Sequence, residues 1–228
     1  MRLFRGKIFY GWFVLVGCAL VTFGISGGHH SFGVFLKPMT EEFGWSRTTI
    51  SLAFGITYMI SGLLRPVAGY LADRYSPKAA SLSGVVVMGL MLLLIPFIED
   101  LVQLYVLFAI MSIGITLGSG PILTKVVSAW FQTRRGLTLS MVTGAGSVGA
   151  MILVPATSLF LVLFNWKEAY WFLALLLLFL ILPIGILLIR NRPQDIGLRA
   201  FGANSDETQN PVKPNNRVGN ILGRDATF

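Results

Sequence analysis

Four ionisable side chains lie in stretches where such groups are costly. Arg65 and Lys125 interrupt apolar runs, and the adjacent His29 and His30 close another. A charge at the middle of a membrane-spanning helix costs on the order of 2.5–3.5 kcal/mol on insertion scales, so its retention points to function. Arg65 falls about two turns before its run ends at Leu71, and Lys125 ends its own. Neither run contains a carboxylate, and Asp73 lies just beyond the first. A guanidinium or ammonium without a partner, set beside a polar cavity, attracts an anion, and arginine can grip a carboxylate through two parallel hydrogen bonds. The plainer alternative is a side chain stretched to the headgroups or to Asp73. Imidazole changes charge between about pH 5 and 8, so His29 or His30 can carry a coupling proton; hydrogen bonding to a neighbouring helix is the plainer use. Neighbours on a helix point about 100° apart, so only one of the two is expected to face a cavity. Arg65, Lys125, His29 and His30 are therefore the candidate substrate contacts.

Six apolar runs must position these groups: Phe9–Gly28, extendable to Leu36, then Ile50–Leu71, Ala79–Phe97, Leu101–Lys125, Leu137–Phe164 and Tyr170–Ile189. Each meets the roughly 20 helical residues needed to cross a hydrocarbon core of about 30 Å. With 54% hydrophobic and 12% charged residues among 228, the chain is far from the composition of a soluble domain. Its formal charge of +8 is a topology signal rather than a nucleic-acid footprint. Arg2, Arg5 and Lys7 precede the first run, Arg74 and Lys78 follow the second, Arg134 and Arg135 the fourth, and Arg190, Arg192 and Arg199 the sixth. The alternate gaps hold Lys37, Arg47 and Lys167 with Glu41, Glu42, Glu99, Asp100 and Glu168. Basic loops mark the cytoplasmic side, which puts both termini in the cytoplasm and the chain in the plasma membrane as a multi-pass protein. A cleaved signal peptide would leave five runs and spoil this alternation. Cys18 stands alone, which excludes a disulfide or zinc framework within the chain, and no cofactor is called for.

Backbone groups in lipid must be satisfied within the segment, so the runs read as helices, and their lack of alternation argues against a barrel. Short gaps make consecutive helices antiparallel neighbours. Gly114, Gly118, Gly120, Gly144, Gly146 and Gly149 suit close helix approach, while Pro66, Pro121 and Pro155 permit bends. Tyr10, Trp12, Trp45, Trp130, Trp166 and Trp171 sit near run ends, as an interfacial aromatic belt does. Phe43 and Arg47 precede the second run as Phe131 and Arg135 precede the fifth; Pro66 follows its arginine by 19 residues and Pro155 by 20. Such copies on opposite membrane sides suit an inverted three-plus-three repeat. From Ala200 the composition turns polar, with too little apolar surface to fold alone.

The loop Gly69-Tyr-Leu71-Ala-Asp73-Arg74-Tyr-Ser76-Pro-Lys78 resembles the signature loop of the major facilitator superfamily, G-x-L-x-D-R-x-G-x-K/R, with Ser76 where the family has glycine. Phe32-Gly-Val-Phe35 with Glu42-Phe-Gly-Trp45-Ser-Arg47 resembles the first external loop of its monocarboxylate-porter and oxalate/formate-antiporter branch. Trp130-Phe131, Arg135-Gly136, Pro155 and Asn165-Trp166-Lys-Glu-Ala-Tyr170 do so too, as does Arg192-Pro193-Gln-Asp195-Ile-Gly197-Leu198, although the usual Pro-Asp-Gly continuation is absent. The resemblance implies an all-α polytopic membrane protein, its six transmembrane helices forming the N-terminal half of that fold. It further implies a bundle over 1–199, a cytoplasmic linker over 200–228, and a chain that stops before a seventh span. Gly69, Asp73, Arg74 and Lys78 would form a loop that latches the two halves of the transporter.

The function so implied is secondary active transport of a small organic anion such as a monocarboxylate, by alternating access. Its partners are that anion, the lipid bilayer, H+ as coupling ion, and a C-terminal half or a second copy to complete the passage; nucleic acid is not among them. A non-transporting receptor or assembly subunit on the same fold is the alternative. An enzyme is not expected. An intramembrane serine protease needs G-x-S-G in the fourth span and a histidine in the sixth, where this chain has Leu117-Gly-Ser119-Gly120 and no histidine. The zinc-protease pattern H-E-x-x-H is missing as well.

Overall fold

The structure is a computed structural model that describes residues 9–118 and 120–202. Six helices within it are long and apolar enough to cross a membrane: Gly11–Phe43, Arg47–Arg74, Pro77–Phe97, Leu101–Trp130, Arg135–Leu163 and Trp166–Leu188. They are called spans one to six below. Most begin or end a few residues beyond the apolar runs. Span one passes a turn at Ser31 and continues to Phe43, because Phe35 and Met39 on its amphipathic end are fully buried. Gly44 stops it with a left-handed backbone (φ 68°), where a side chain would be strained. Ser46 then caps span two, its Oγ accepting from the Thr49 N–H at 3.1 Å.

Span two runs through Asp73 to Arg74, so Asp73 belongs to its last turn and only Tyr75 and Ser76 separate it from span three. Ser76 is in extended backbone (φ −167°) and caps span three by accepting from Ala79 N–H at 3.2 Å. No left-handed turn is needed at this position, so serine replaces the family's glycine without strain. Span four is divided into Leu101–Leu117 and Gly120–Trp130, and span six contains a π-helical stretch, Leu176–Ile181. Pro183 follows that stretch and lacks the N–H that would close a regular turn onto it.

Side chains from spans one, three, four and six supply most of one continuous core. Span one packs chiefly on span five, and span four on both span two and span three. Spans one and three both meet span six. Exchanging spans one to three for four to six maps this pattern onto itself: one–five becomes four–two, and three–four becomes six–one. Arg47 and Arg135, the expected repeat partners, are each the first residue of their span. The tightest crossings are made by glycine. A Cβ on Gly27 would lie 2.7 Å from the Gly149 carbonyl oxygen, and one on Gly114 would lie 2.7 Å from the Met88 nitrogen. Gly120 and Gly144, expected to serve the same purpose, have open space there instead.

At the end of the bundle carrying the basic loops, residues 190–202 form a strap across the helix ends. Asn191 Oδ1 accepts from Ser76 Oγ and from the Lys78 N–H, both at 3.0 Å. Trp130 Nε1 donates to the Arg190 carbonyl at 2.9 Å. The Phe201 N–H donates to the Trp130 carbonyl at 2.8 Å, and its carbonyl accepts from Gln132 N–H at 3.0 Å. The linker expected from residue 200 therefore begins with residues tied to the bundle; its remainder, 203–228, lies outside the described residues. Two tryptophans expected in an interfacial belt are core residues. Trp130 is fully buried, and Trp166 is buried with its indole N–H on the Glu42 carboxylate. Lys167 reaches the same carboxylate at 3.3 Å.

The crossings predict unequal effects of equal substitutions. Gly149→Ala, whose methyl would press on the Phe23 backbone, is expected to destabilise by roughly 1–3 kcal/mol. Gly144→Ala is expected to be neutral or stabilising by up to about 1 kcal/mol. Thermal unfolding of the two variants in detergent micelles reads the difference.

Candidate functional site

A cavity of about 320 Å³ opens between spans one, two, four and five. Each wall comes from residues three to four apart on one helix face: Thr22, Ser26, His29 and His30; Tyr58, Ser61 and Arg65; Thr143, Gly146 and Ser147. Gly118 and Gly120 close it on span four. Its polar groups among the described residues are hydroxyls, two imidazoles, one phenol and one guanidinium, and none of them is a carboxylate. Two cavities of similar size, 350 and 330 Å³, lie elsewhere, walled by apolar side chains with only Gln103 and Glu168 as polar exceptions. Neither presents a cation.

Arg65 is exposed in this cavity and makes no hydrogen bond or ion pair with any described residue. Its span carries Pro66 within the helix. The two histidines border the cavity in different ways. His29 is buried, stacked on Phe54 at 4.6 Å and edge-on to Tyr58 at 5.0 Å, and its Nδ1 has no hydrogen-bond partner. His30 is exposed, with Nδ1 2.7 Å from the Ser26 carbonyl oxygen and 3.5 Å from Ser26 Oγ. Phe54 also stacks on Phe32 at 5.0 Å, which anchors this part of span two against span one.

Lys125 is not brought to the cavity. Its Nζ lies 2.8 Å from Asp73 Oδ1, so the expectation of an unpaired ammonium is corrected. The cause is helix length: span two extends past Leu71, and span four past Lys125, so the two ends lie side by side. The residues expected to form a latch go to different partners. Arg74 Nη1 donates to Tyr70 Oη at 2.7 Å, one turn back on its own helix. Lys78 Nζ donates to the Ile186 carbonyl at 2.7 Å, in the last turn of span six. Its ammonium there suits the negative end of that helix. Gly69 has open space where a Cβ would be, so it mediates no close packing among the described residues.

Sequence reasoning passed over Tyr58, Ser26, Thr143, Ser147 and Asn191. A signal for the first four was present: each shares a helical face with another polar cavity residue, three or four positions away. Asn191 had none, because its partners are more than 100 positions distant.

A six-helix architecture, each helix long and apolar enough to cross a membrane, defines a multi-pass membrane protein with a polar cavity between its spans. The family model of the Major Facilitator Superfamily matches residues 14–222, and the chain belongs to that superfamily. It is 25% identical over 183 residues to the MFS-type transporter YcxA of Bacillus subtilis (strain 168), covering 80% of this chain and 45% of that protein. Identity to the oxalate:formate antiporter of Oxalobacter formigenes is 24%, covering 78% of this chain and 42% of the antiporter. Monocarboxylate transporter 13 of Bos taurus is 27% identical, with 75% and 40% covered. The chain thus spans less than half the length of these curated relatives.

The Asp73–Lys125 pair is well over a third exposed on both sides, which limits its worth. A double-mutant cycle with Asp73→Asn and Lys125→Met, read by thermal unfolding in micelles, is expected to give a coupling of about 0.2–1 kcal/mol.

Proposed function

We propose that this chain forms one wall of a secondary active transporter that carries a small organic anion by alternating access. The observation that carries this reading is Arg65: a guanidinium without a partner among the described residues, open to a cavity that they line with no carboxylate. Nothing in the described wall neutralises it, so a bound carboxylate would complete it, and bidentate geometry favours that group over a halide. The named substrates of the oxalate:formate antiporter and the monocarboxylate transporter are organic anions, which supports the same class here. The hydroxyls of Ser26, Thr143 and Ser147 would then serve the remaining polar atoms of the solute.

The basic end of the bundle is the cytoplasmic end of a plasma-membrane protein, with both termini on that side, by the excess of Lys and Arg in its loops. Spans two and five are the least buried of the six, and each presents apolar side chains, such as Met59, Leu63, Met151 and Ile152. The second wall of the passage packs there, supplied by another six-span half or by a second copy of the chain. Lys125 keeps Asp73 in place at the cytoplasmic rim, where Gly69, Asp73, Arg74 and Lys78 meet that second wall and hold one of the two rocked states.

In the complete transporter reconstituted into liposomes, Arg65→Gln is expected to raise the KM for radiolabelled lactate or formate by about 10- to 100-fold. That is the equivalent of a charge-assisted hydrogen bond of roughly 1.5–3 kcal/mol. Unchanged KM and turnover would remove Arg65 from the site, and binding without uptake would favour a receptor.

A further inference from the structure

We infer that the solute this cavity selects is an aryl monocarboxylate, its carboxylate on Arg65 and its ring against Tyr58. The inference rests on the anion-binding reading above and narrows the class of anion. It begins with the hydrogen-bond donors the wall has left to give. Thr22 Oγ1 already donates to the Cys18 carbonyl at 3.0 Å, Thr143 Oγ1 to the Leu139 carbonyl at 3.1 Å and Ser61 Oγ to the Ser112 carbonyl at 3.3 Å. Each of these hydroxyls has a single hydrogen, so toward the cavity it can only accept. A carboxylate also only accepts, and gains nothing from them. Arg65 keeps its donors free, as do Ser147 and the Tyr58 phenol, which have no hydrogen-bond partner among the described residues.

The spacing sets the length of the solute. Tyr58 and Arg65 are seven residues apart on one face of span two, about 10.5 Å along the helix. A three-carbon acid held by Arg65 covers only about 2.5 Å, at about 1.5 Å per bond, and leaves the phenol unreached. Ser61, between the two on the same face, turns its hydroxyl onto span four, and Ile25 and Ile115 add apolar surface to the lining. Tyr58 has about half of its surface exposed (49%). Phe54, at 5.0 Å and 81°, and His29, at 5.0 Å and 64°, pack edge-on against it and fix the ring. The far end therefore offers an aromatic surface rather than a charge. A second carboxylate there would meet no cation among the described residues, which disfavours a dicarboxylate of the same length. An aromatic body suits both ends. A flat ring meets Tyr58 edge-to-face, and it loses less freedom on binding than an alkyl chain of equal length.

Titration calorimetry of the complete transporter in lipid nanodiscs tests this with phenylacetate, lactate and cyclohexylacetate. Phenylacetate is expected to bind about 10-fold or more tighter than lactate. Cyclohexylacetate, similar in size but without a π-face, is expected to fall between them. Tyr58→Leu is expected to reduce the preference for phenylacetate over lactate to about 2-fold or less, and Tyr58→Phe, which keeps the ring, to preserve most of it. Equal affinities for phenylacetate and lactate, or a Tyr58→Leu variant that weakens both by the same factor, would overturn the inference and leave the anion site standing. Cyclohexylacetate binding as tightly as phenylacetate would do the same, since the ring would then count only as apolar bulk. Phenylacetamide, the uncharged analogue, binding as tightly as phenylacetate would overturn the anion site, and the inference with it; so would failure of all three acids to bind.

Discussion

In a hydrocarbon medium, apolar burial does not favour helix–helix contact over helix–lipid contact, so close packing must do what the hydrophobic effect does in water. This chain meets that constraint at two crossings where backbone touches backbone: Gly27 on Gly149, and Gly84 on Gly114. The cavity depends on the first. Because the backbones of spans one and five approach closely there, Gly146 is brought against Thr22 and Ser26, and Thr143 and Ser147 join the same polar wall. A larger residue at that crossing would separate the hydroxyls that give the cavity its character. The second crossing holds span four against span three, which leaves Gly118 and Gly120 to close the far side.

Three cations in the helical layer show how differently the same charge can be accommodated. Lys78 sits at the start of span three and reaches a terminal carbonyl of span six, where the helix end is partly negative. Lys125 reaches a carboxylate on the last turn of span two. Both are structural solutions available to a flexible ammonium near a helix end. Arg65 is further from an end, is followed by Pro66 and takes neither solution. It is exposed to the cavity instead, where no described side chain pairs with it.

Much of this architecture was legible in the residues. Six spans, their order, and the repeat marked by Arg47 and Arg135 follow from run length, charge placement and two prolines, all of which are local or periodic. The ends were less legible, because a helix past the apolar boundary is decided by caps such as Ser46 and Gly44 and by burial of Phe35 and Met39. That displacement of a few residues brings Lys125 to Asp73, the plainer of the two readings its sequence position allows. The strap was not legible at all. Asn191, Arg190 and Phe201 find partners 60 to 115 positions away, and no local pattern announces such contacts. Arg65, His29 and His30 line one cavity and Lys125 does not, a division set by where the helices end.

The repeat also explains why chemistry is concentrated in one part of the bundle. Pro66 and Pro155 occupy matching places in spans two and five, yet the residue before the first is Arg65 and the residue before the second is Val154. Span one carries Ser26, His29 and His30 toward the cavity, while its counterpart, span four, offers Ile115, Gly118 and Gly120. The duplicated geometry is therefore kept where it governs packing and bending, and abandoned where a second copy of the same charge would sit in the same cavity. Two guanidiniums facing each other there would repel in a low-dielectric setting, and a monoanion would neutralise only one. An asymmetric pair of repeats, with the cation in one and only neutral side chains from the other, avoids that repulsion while preserving the symmetric helix crossings.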